Sequence, residues 1–187
     1  MSSSEEIVSL VARDGSVTGS APRWRVRREN LLHGATAVLV RRSDGRIFVH
    51  RRSAEKDWSP SFHDAAAGGV LQHLEDPAES ALRELAEELG IRDVELASLG
   101  DALYEDETVR CFERCFETTY DGEVTYADGE VVWGDWMSLE DLGARLADPD
   151  WPFVPDTRAL LESLSARGVR DYARLGLHRH RAEGDAR

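Results

Sequence analysis

Short runs of alternating apolar and polar residues, separated by Asp-Gly pairs, dominate the first third of the chain. Asp-Gly between such runs marks a tight turn, because the favoured hairpin turns need backbone angles that glycine and aspartate tolerate. Asp14-Gly15 therefore joins strands over 7–12 and 16–21, and Asp44-Gly45 joins strands over 35–42 and 46–52. Residues 23–30 between the two predicted hairpins fit a short helix. Asp121-Gly122 and Asp128-Gly129 flank short predicted strands that lead into a further strand over 131–137. Over 78–89 the period becomes helical, and Ala78, Leu82, Leu85 and Leu89 make one apolar stripe that should face the core. Asp76 is placed to cap this helix, Pro77 suits its first position, Glu79 completes a capping box, and Gly90 stands where the helix should stop. Ser138 and Asp141 form a second capping box before Leu142. Asp156 is read as the cap of a helix over 157–166 that Gly168 ends. The order of strands, one helix, more strands and then helices predicts an α/β fold, a mixed sheet with helices on both faces.

Composition narrows this picture. A chain of 187 residues with 41% hydrophobic content suits one domain. We place that domain at 1–178 and read the charged, aperiodic segment 179–187 as a tail. No apolar run approaches the roughly 20 residues that span a membrane. The first six residues lack the basic and apolar regions of a signal peptide, so a cytoplasmic location is expected. A net charge of -13 argues against a nucleic-acid polymer as partner. It leaves a small phosphorylated molecule open, since a bound divalent cation can supply local positive charge. Cys111 and Cys115 are too few for a disulfide scaffold. Four residues apart on a strand-like segment, they share a face and read as buried core.

The segment from Gly69 to Ile91 holds the densest chemistry. Gly69 is followed by Glu75, then Arg83-Glu84-Leu85, Glu87-Glu88 and Gly90-Ile91. Glu84, Glu87 and Glu88 share one side of the helix, roughly opposite Leu82, Leu85 and Leu89. Three neighbouring carboxylates repel one another, and the helix C-terminal half disfavours anions. A hard, oxygen-seeking cation such as Mg²⁺ or Mn²⁺ would relieve both penalties. Arg83 can orient a glutamate through paired hydrogen bonds, Glu75 can reach the same cluster, and Gly68-Gly69 lets backbone approach and offers the Gly68 carbonyl as a ligand. On this view Glu88→Gln should leave the metal-free fold as stable as before, or slightly more so. A Glu-rich helix face is usually only a solvated surface. The glycines, the arginine and Glu75 at these spacings are what separate this segment from that reading.

The pattern G-x5-E-x7-R-E-U-x-E-E-x-G-U is met at every position, and the chain resembles the Nudix hydrolase superfamily. The resemblance implies an α/β/α sandwich and metal-dependent hydrolysis of a nucleoside diphosphate derivative. Glu84, Glu87 and Arg83 would be the catalytic residues, and Glu84, Glu87, Glu88, Gly68 and Glu75 the metal-binding set. A small nucleotide or diphosphate would be the partner molecule, and homodimers are common among such proteins. The chain is also similar to isopentenyl-diphosphate isomerase over Arg28 to His33, Ile47 to Ser53, Lys56 to Pro60 and around Trp136. That enzyme needs a cysteine and a metal-binding histidine where this chain has Ala67 and Gly69, and acidic residues near Val109 and Cys111. His33 does match an isomerase ligand position. The intact glutamate box points to hydrolysis, with isomerase-like chemistry as the alternative.

Outside the box, Arg51 and Arg52 alternate faces on a strand, so at most one points into a site to hold phosphate. Glu130, after a turn, can approach the cluster from another side, either at the metal or in substrate binding. Trp58, Phe62, Tyr104 and Trp133 can stack a base or cover a pocket, although each also fits ordinary packing.

Overall fold

The computed structural model describes residues 5–126 and 128–177. The segment 179–187, read as a tail, lies outside the described residues. Strands β1 (Ile7–Val11) and β2 (Val17–Pro22) form the first hairpin, followed by helix α1 (Arg23–Glu29). Strand β3 (His33–Arg41) is the centre of the sheet. It runs parallel to β8 (Arg110–Thr119) from His33↔Cys111 to Arg41↔Thr119 and antiparallel to β6 (Ala66–Ala67). Strand β7 (Ala97–Glu105) pairs with the far side of β8.

The second predicted hairpin forms only at its turn. Gly45 takes the left-handed angle the turn requires, at φ 89, and the Arg42 N–H reaches the Arg46 carbonyl at 2.8 Å. Beyond Arg41↔Ile47, however, β4 (Ile47–Arg52) leaves β3 and pairs with β9 (Val131–Met137) and β5 (His63–Asp64). The sheet is mixed, as expected, and splays between β3 and β4.

Side-chain alternation gives β3 two apolar faces. Ala37 and Leu39 pack with Cys115 against α3 (Leu139–Leu146) and α4 (Pro155–Ala166). Val38 and Val40 face Ala81, Leu85 and Leu89 of α2 (Pro77–Glu88). Helices therefore cover both faces of one sheet, and both cysteines lie in its interior, as read from their spacing. Among the described residues no helix is long and apolar enough to cross a membrane.

Four local expectations need correction. Residues 123–126 form no strand. The Tyr120 N–H is taken by the Arg41 carbonyl and the Thr125 N–H by the Leu89 carbonyl, so this loop is tied to β3 and to the end of α2. In α2, Asp76 caps as predicted, accepting from the N–H groups of Ala78 at 2.9 Å and Glu79 at 3.2 Å. The buried face is rotated, though: Ala81 turns inward with Leu85 and Leu89, and Leu82 is 38% exposed. The rotation also carries Glu88 into the interior, at 2% exposure, rather than onto the opposite face. Finally, Asp156 does not cap α4. Pro155 takes the first helical position, so the helix begins earlier, and the Asp156 carboxylate accepts the Thr157 N–H within the first turn.

Candidate active site

The box residues meet where α2 crosses the loop after β6. An added Cβ at Gly69 would lie 2.7 Å from a carboxylate oxygen of Glu84, and one at Gly68 would lie 2.0 Å from the Thr36 carbonyl oxygen. At Gly68 only glycine lets the backbone pass this close to the sheet, whereas at Gly69 an added side chain would have to push the Glu84 carboxylate aside. The Gly68 N–H donates to Glu88 Oε2 at 3.2 Å, while the Gly69 carbonyl accepts the Thr36 N–H at 2.9 Å. Of the two carbonyls, Gly69's is thus committed to the sheet.

Two cations hold the carboxylates in place. Arg83 donates to Glu75 at 2.9 and 3.2 Å, to Glu84 at 2.7 Å and to Glu87 at 3.1 Å. Glu75 therefore reaches the cluster through Arg83; burial raises its carboxyl pKa, but the Arg83 hydrogen bonds outweigh that and hold it below the ordinary value. Lys56, from the loop after β4, places its ammonium 2.9 Å from Glu88 Oε1 and also against Glu130. Glu130 thus approaches the cluster, as its position after a turn suggested, with Lys56 between it and Glu88. Glu84 is pushed up to about 7, first by burial and then by the Glu88 charge, in spite of Arg83. Hard carboxylate oxygens beside an approaching backbone, one of them disfavoured in its charged form, fit an oxygen-seeking divalent cation.

Glu84 and Glu87 line a cleft of about 590 Å³, together with Gly68, Gly69, Lys56 and Glu130. Arg52 lines it too, donating to the Trp58 carbonyl and facing Asp64 at 3.5 Å. Arg51 points away and donates to the Ser61 carbonyl. Of this pair only Arg52 reaches the cleft, as strand alternation required. Arg23 and Arg27 from α1 also line the cleft, a contribution that no local motif signals. Trp58 lies on its wall, whereas Trp133 packs its edge on His63 and the Tyr104 hydroxyl is spent on Asp106. His33 lines the cleft but is 3% exposed; its ring bonds the Leu31 carbonyl, and burial lowers its pKa to about 4.

A second polar cluster was not anticipated. Among the described residues, the group of three metal-ligating side chains whose ligand atoms all lie within 4.8 Å of one another is Cys111, Glu113 and Asp156, not the box. All three line the same cleft. Burial and then the neighbouring carboxylates push Glu113 and Asp156 well above the usual carboxylate range. One usable signal was present in the sequence: the alternation that turns Cys111 and Cys115 inward also turns Glu113 inward.

Comparison with known proteins agrees with this geometry. The family model of the NUDIX domain matches residues 31–157. A Nudix hydrolase of Rhodococcus erythropolis, orf19, is 42% identical over 167 residues, covering 84% of this chain and 90% of the relative. The Nudix hydrolase YfcD of Escherichia coli K12 is 35% identical over 170 residues, covering 91% of this chain and 92% of the relative. In three dimensions the chain is similar to DR0079 from Deinococcus radiodurans, with a TM-score of 0.72 and 26% identity over 83% of this chain and 96% of that one. The box at Gly69–Ile91, the helix-covered mixed sheet and these relatives lead to one conclusion: the chain belongs to the Nudix family and is a Nudix hydrolase.

Proposed function

We propose that the protein hydrolyses the diphosphate linkage of a small nucleoside diphosphate derivative and that it depends on a divalent cation, Mg²⁺ or Mn²⁺, held by Glu84, Glu87, Glu88 and the Gly68 carbonyl. The observation that carries this reading is the meeting of Glu84 and Glu87 with the Gly68-Gly69 backbone on the wall of one cleft, where Gly69 leaves room for the Glu84 carboxylate. When bound, the cation offsets charge on the diphosphate and makes a water more acidic. Arg83 holds Glu84 and Glu87 facing the cleft, where either carboxylate can take the proton of an attacking water. Arg52, which faces Asp64, and Lys56, which pairs with Glu88 and Glu130, line the cleft and would have to turn from these partners to meet the phosphates. Water attacks one phosphorus, the bond from that phosphorus to the bridging oxygen breaks, and a phosphate leaves. The alternative, isomerisation of an isopentenyl diphosphate, finds no proton-transferring side chain at Ala67, which is buried with the methyl group of alanine.

The test is a phosphate-release screen over nucleoside diphosphate derivatives with Mg²⁺, Mn²⁺ or EDTA. Turnover of at least one derivative that needs the cation supports the reading. Full turnover in EDTA would overturn the metal dependence, and no turnover of any derivative would overturn the substrate class.

A further inference from the structure

We propose that Cys111, Glu113 and Asp156 form a second cation site, suited to a borderline-soft divalent ion of the Zn²⁺ class, on the wall of the cleft and separate from the all-oxygen site on α2. The fold brings these residues together from two directions. Cys111 and Glu113 alternate onto the same face of β8 as Cys115, which packs under α3 and α4. The early start of α4 at Pro155 then sets Asp156 against them. The box glutamates stand on α2, over the opposite face of β3 and β8.

The hydrogen-bond inventory separates this cluster from an ordinary buried acidic network. Asp64 nearby is satisfied: one oxygen accepts the N–H groups of Ala65 at 2.8 Å and Ala66 at 3.1 Å, and the other faces Arg52. Asp156 accepts the Thr157 N–H with Oδ1, at 2.7 Å. Glu113 is 5% exposed, and its Oε2 has no hydrogen-bond partner. A buried carboxyl oxygen without a partner is costly, and a cation bound beside it would supply the partner and favour the charged form that burial suppresses. Arg52 is the cation on this wall of the cleft, but it faces Asp64 at 3.5 Å and donates to the Trp58 carbonyl; its Nε, like Glu113 Oε2, has no hydrogen-bond partner, so the two do not satisfy each other.

The donor set selects the ion. A thiolate with carboxylates suits Zn²⁺ and its transition-metal neighbours, whereas Mg²⁺ avoids sulfur. Three protein donors leave a further coordination position open, as in zinc sites that engage a substrate, and that position faces the cleft. The competing arrangement needs no metal: the Cys111 thiol donates to Asp156 Oδ2 at 4.0 Å, and the two carboxyl groups share a proton.

Co²⁺ distinguishes the two, because sulfur ligation gives a near-ultraviolet thiolate-to-cobalt charge-transfer band that oxygen ligands cannot give. The full chain, stripped by chelator, kept reduced and supplied with excess Mg²⁺ to fill the glutamate site, is titrated with Co²⁺. We expect the band to saturate at one equivalent and to be displaced by Zn²⁺. It should persist in Glu84→Gln and disappear in Cys111→Ser, while Glu113→Gln should weaken Co²⁺ binding by at least about 10-fold. Melting curves verify that the variants fold, and the wild-type titration is decisive without them. A wild-type protein with no band, a band that fails to saturate below millimolar Co²⁺, or a band that survives Cys111→Ser would overturn the proposal. Because the signal arises from sulfur, none of these outcomes bears on whether the box supports hydrolysis.

Discussion

Glu88→Gln keeps the size of the side chain and removes its charge. On an exposed helix face this would relieve repulsion worth a few tenths of a kcal/mol, and the sequence alone therefore predicts an unchanged or slightly higher melting temperature without metal. The structure reverses the sign. Glu88 is 2% exposed, with Lys56 Nζ 2.9 Å from one oxygen and the Gly68 N–H 3.2 Å from the other. Breaking a buried ion pair through one partner costs about 3–5 kcal/mol. Two features reduce this figure: Lys56 keeps Glu130, and Glu84 loses a repulsive neighbour. We work the net loss as about 2 kcal/mol. For a chain of this size that corresponds to a fall in Tm of roughly 4–8 °C. The assay is thermal unfolding by circular dichroism in EDTA near neutral pH, repeated with saturating Mn²⁺. The variant should also gain less from Mn²⁺ than wild type, since stabilisation follows binding to the folded state. Turnover should fall by at least about 10²-fold, in keeping with the several kcal/mol that such a site supplies. A variant that melts at or above wild type in EDTA would refute the buried-pair argument.

Four further outcomes follow from the same site. Gly68→Ala drives a Cβ to 2.0 Å from the Thr36 carbonyl oxygen, a clash with backbone, and should destabilise by about 3 kcal/mol in denaturant unfolding. Gly69→Ala meets a movable Glu84 carboxylate instead and should cost less stability than Gly68→Ala while still lowering turnover; equal stability losses would contradict this contrast. Glu84 at about 7 in the fold, against an ordinary 4.5, means that the folded state holds a proton the unfolded chain has released. Its stabilising contribution is therefore full below about 4.5 and lost as pH rises through about 7, so the melting temperature of metal-free wild type relative to Glu84→Gln should decline across that window. A difference that is flat or grows with pH contradicts the assignment. Last, solvent protons should not exchange into isopentenyl or dimethylallyl diphosphate at an enzyme-like rate, given Ala67 and Gly69; such exchange, measured by mass spectrometry, would favour the isomerase alternative.

What could be read from the sequence was local. Asp76, Pro77 and Gly90 bound α2 because capping depends on neighbours within one turn. The first three Asp-Gly turns likewise lie where strands end, and the box is legible because its residues follow one another along a single loop and helix. What stayed hidden depends on contacts distant in sequence. Leu82 and Ala81 compete for the inward position, and in the fold Ala81 lies inside beside Val38 and Val40 while Leu82 is 38% exposed. Lys56 reaches Glu88 across 32 residues of chain, and no spacing rule marks it. The splay of β3 from β4 is decided by β9, more than 70 residues on, which takes β4 as its partner. Asp156 read as a cap from its neighbours alone, and its place beside Glu113 required the whole sheet.

These distant contacts also change the argument for metal binding. Read locally, Glu84, Glu87 and Glu88 are a repulsive set that needs an external cation. In the fold each has an internal one: Arg83 serves Glu84 and Glu87, and Lys56 serves Glu88. Repulsion is therefore a weak reason to infer a metal, because the chain, with a net charge of -13, has placed its single lysine between Glu88 and Glu130. The stronger reasons are steric and dielectric. Gly68 packs directly on the Thr36 backbone, and Gly69 leaves room for the Glu84 carboxylate, which an added side chain would have to push aside. Glu84 is suppressed in its charged form, first by burial and then by the Glu88 charge, even with Arg83 2.7 Å away, and a further cation beside it would favour that charged form. The same reasoning separates the two clusters in the cleft: the α2 glutamates have counter-cations that an incoming metal must displace, whereas Glu113 has an oxygen with no partner at all.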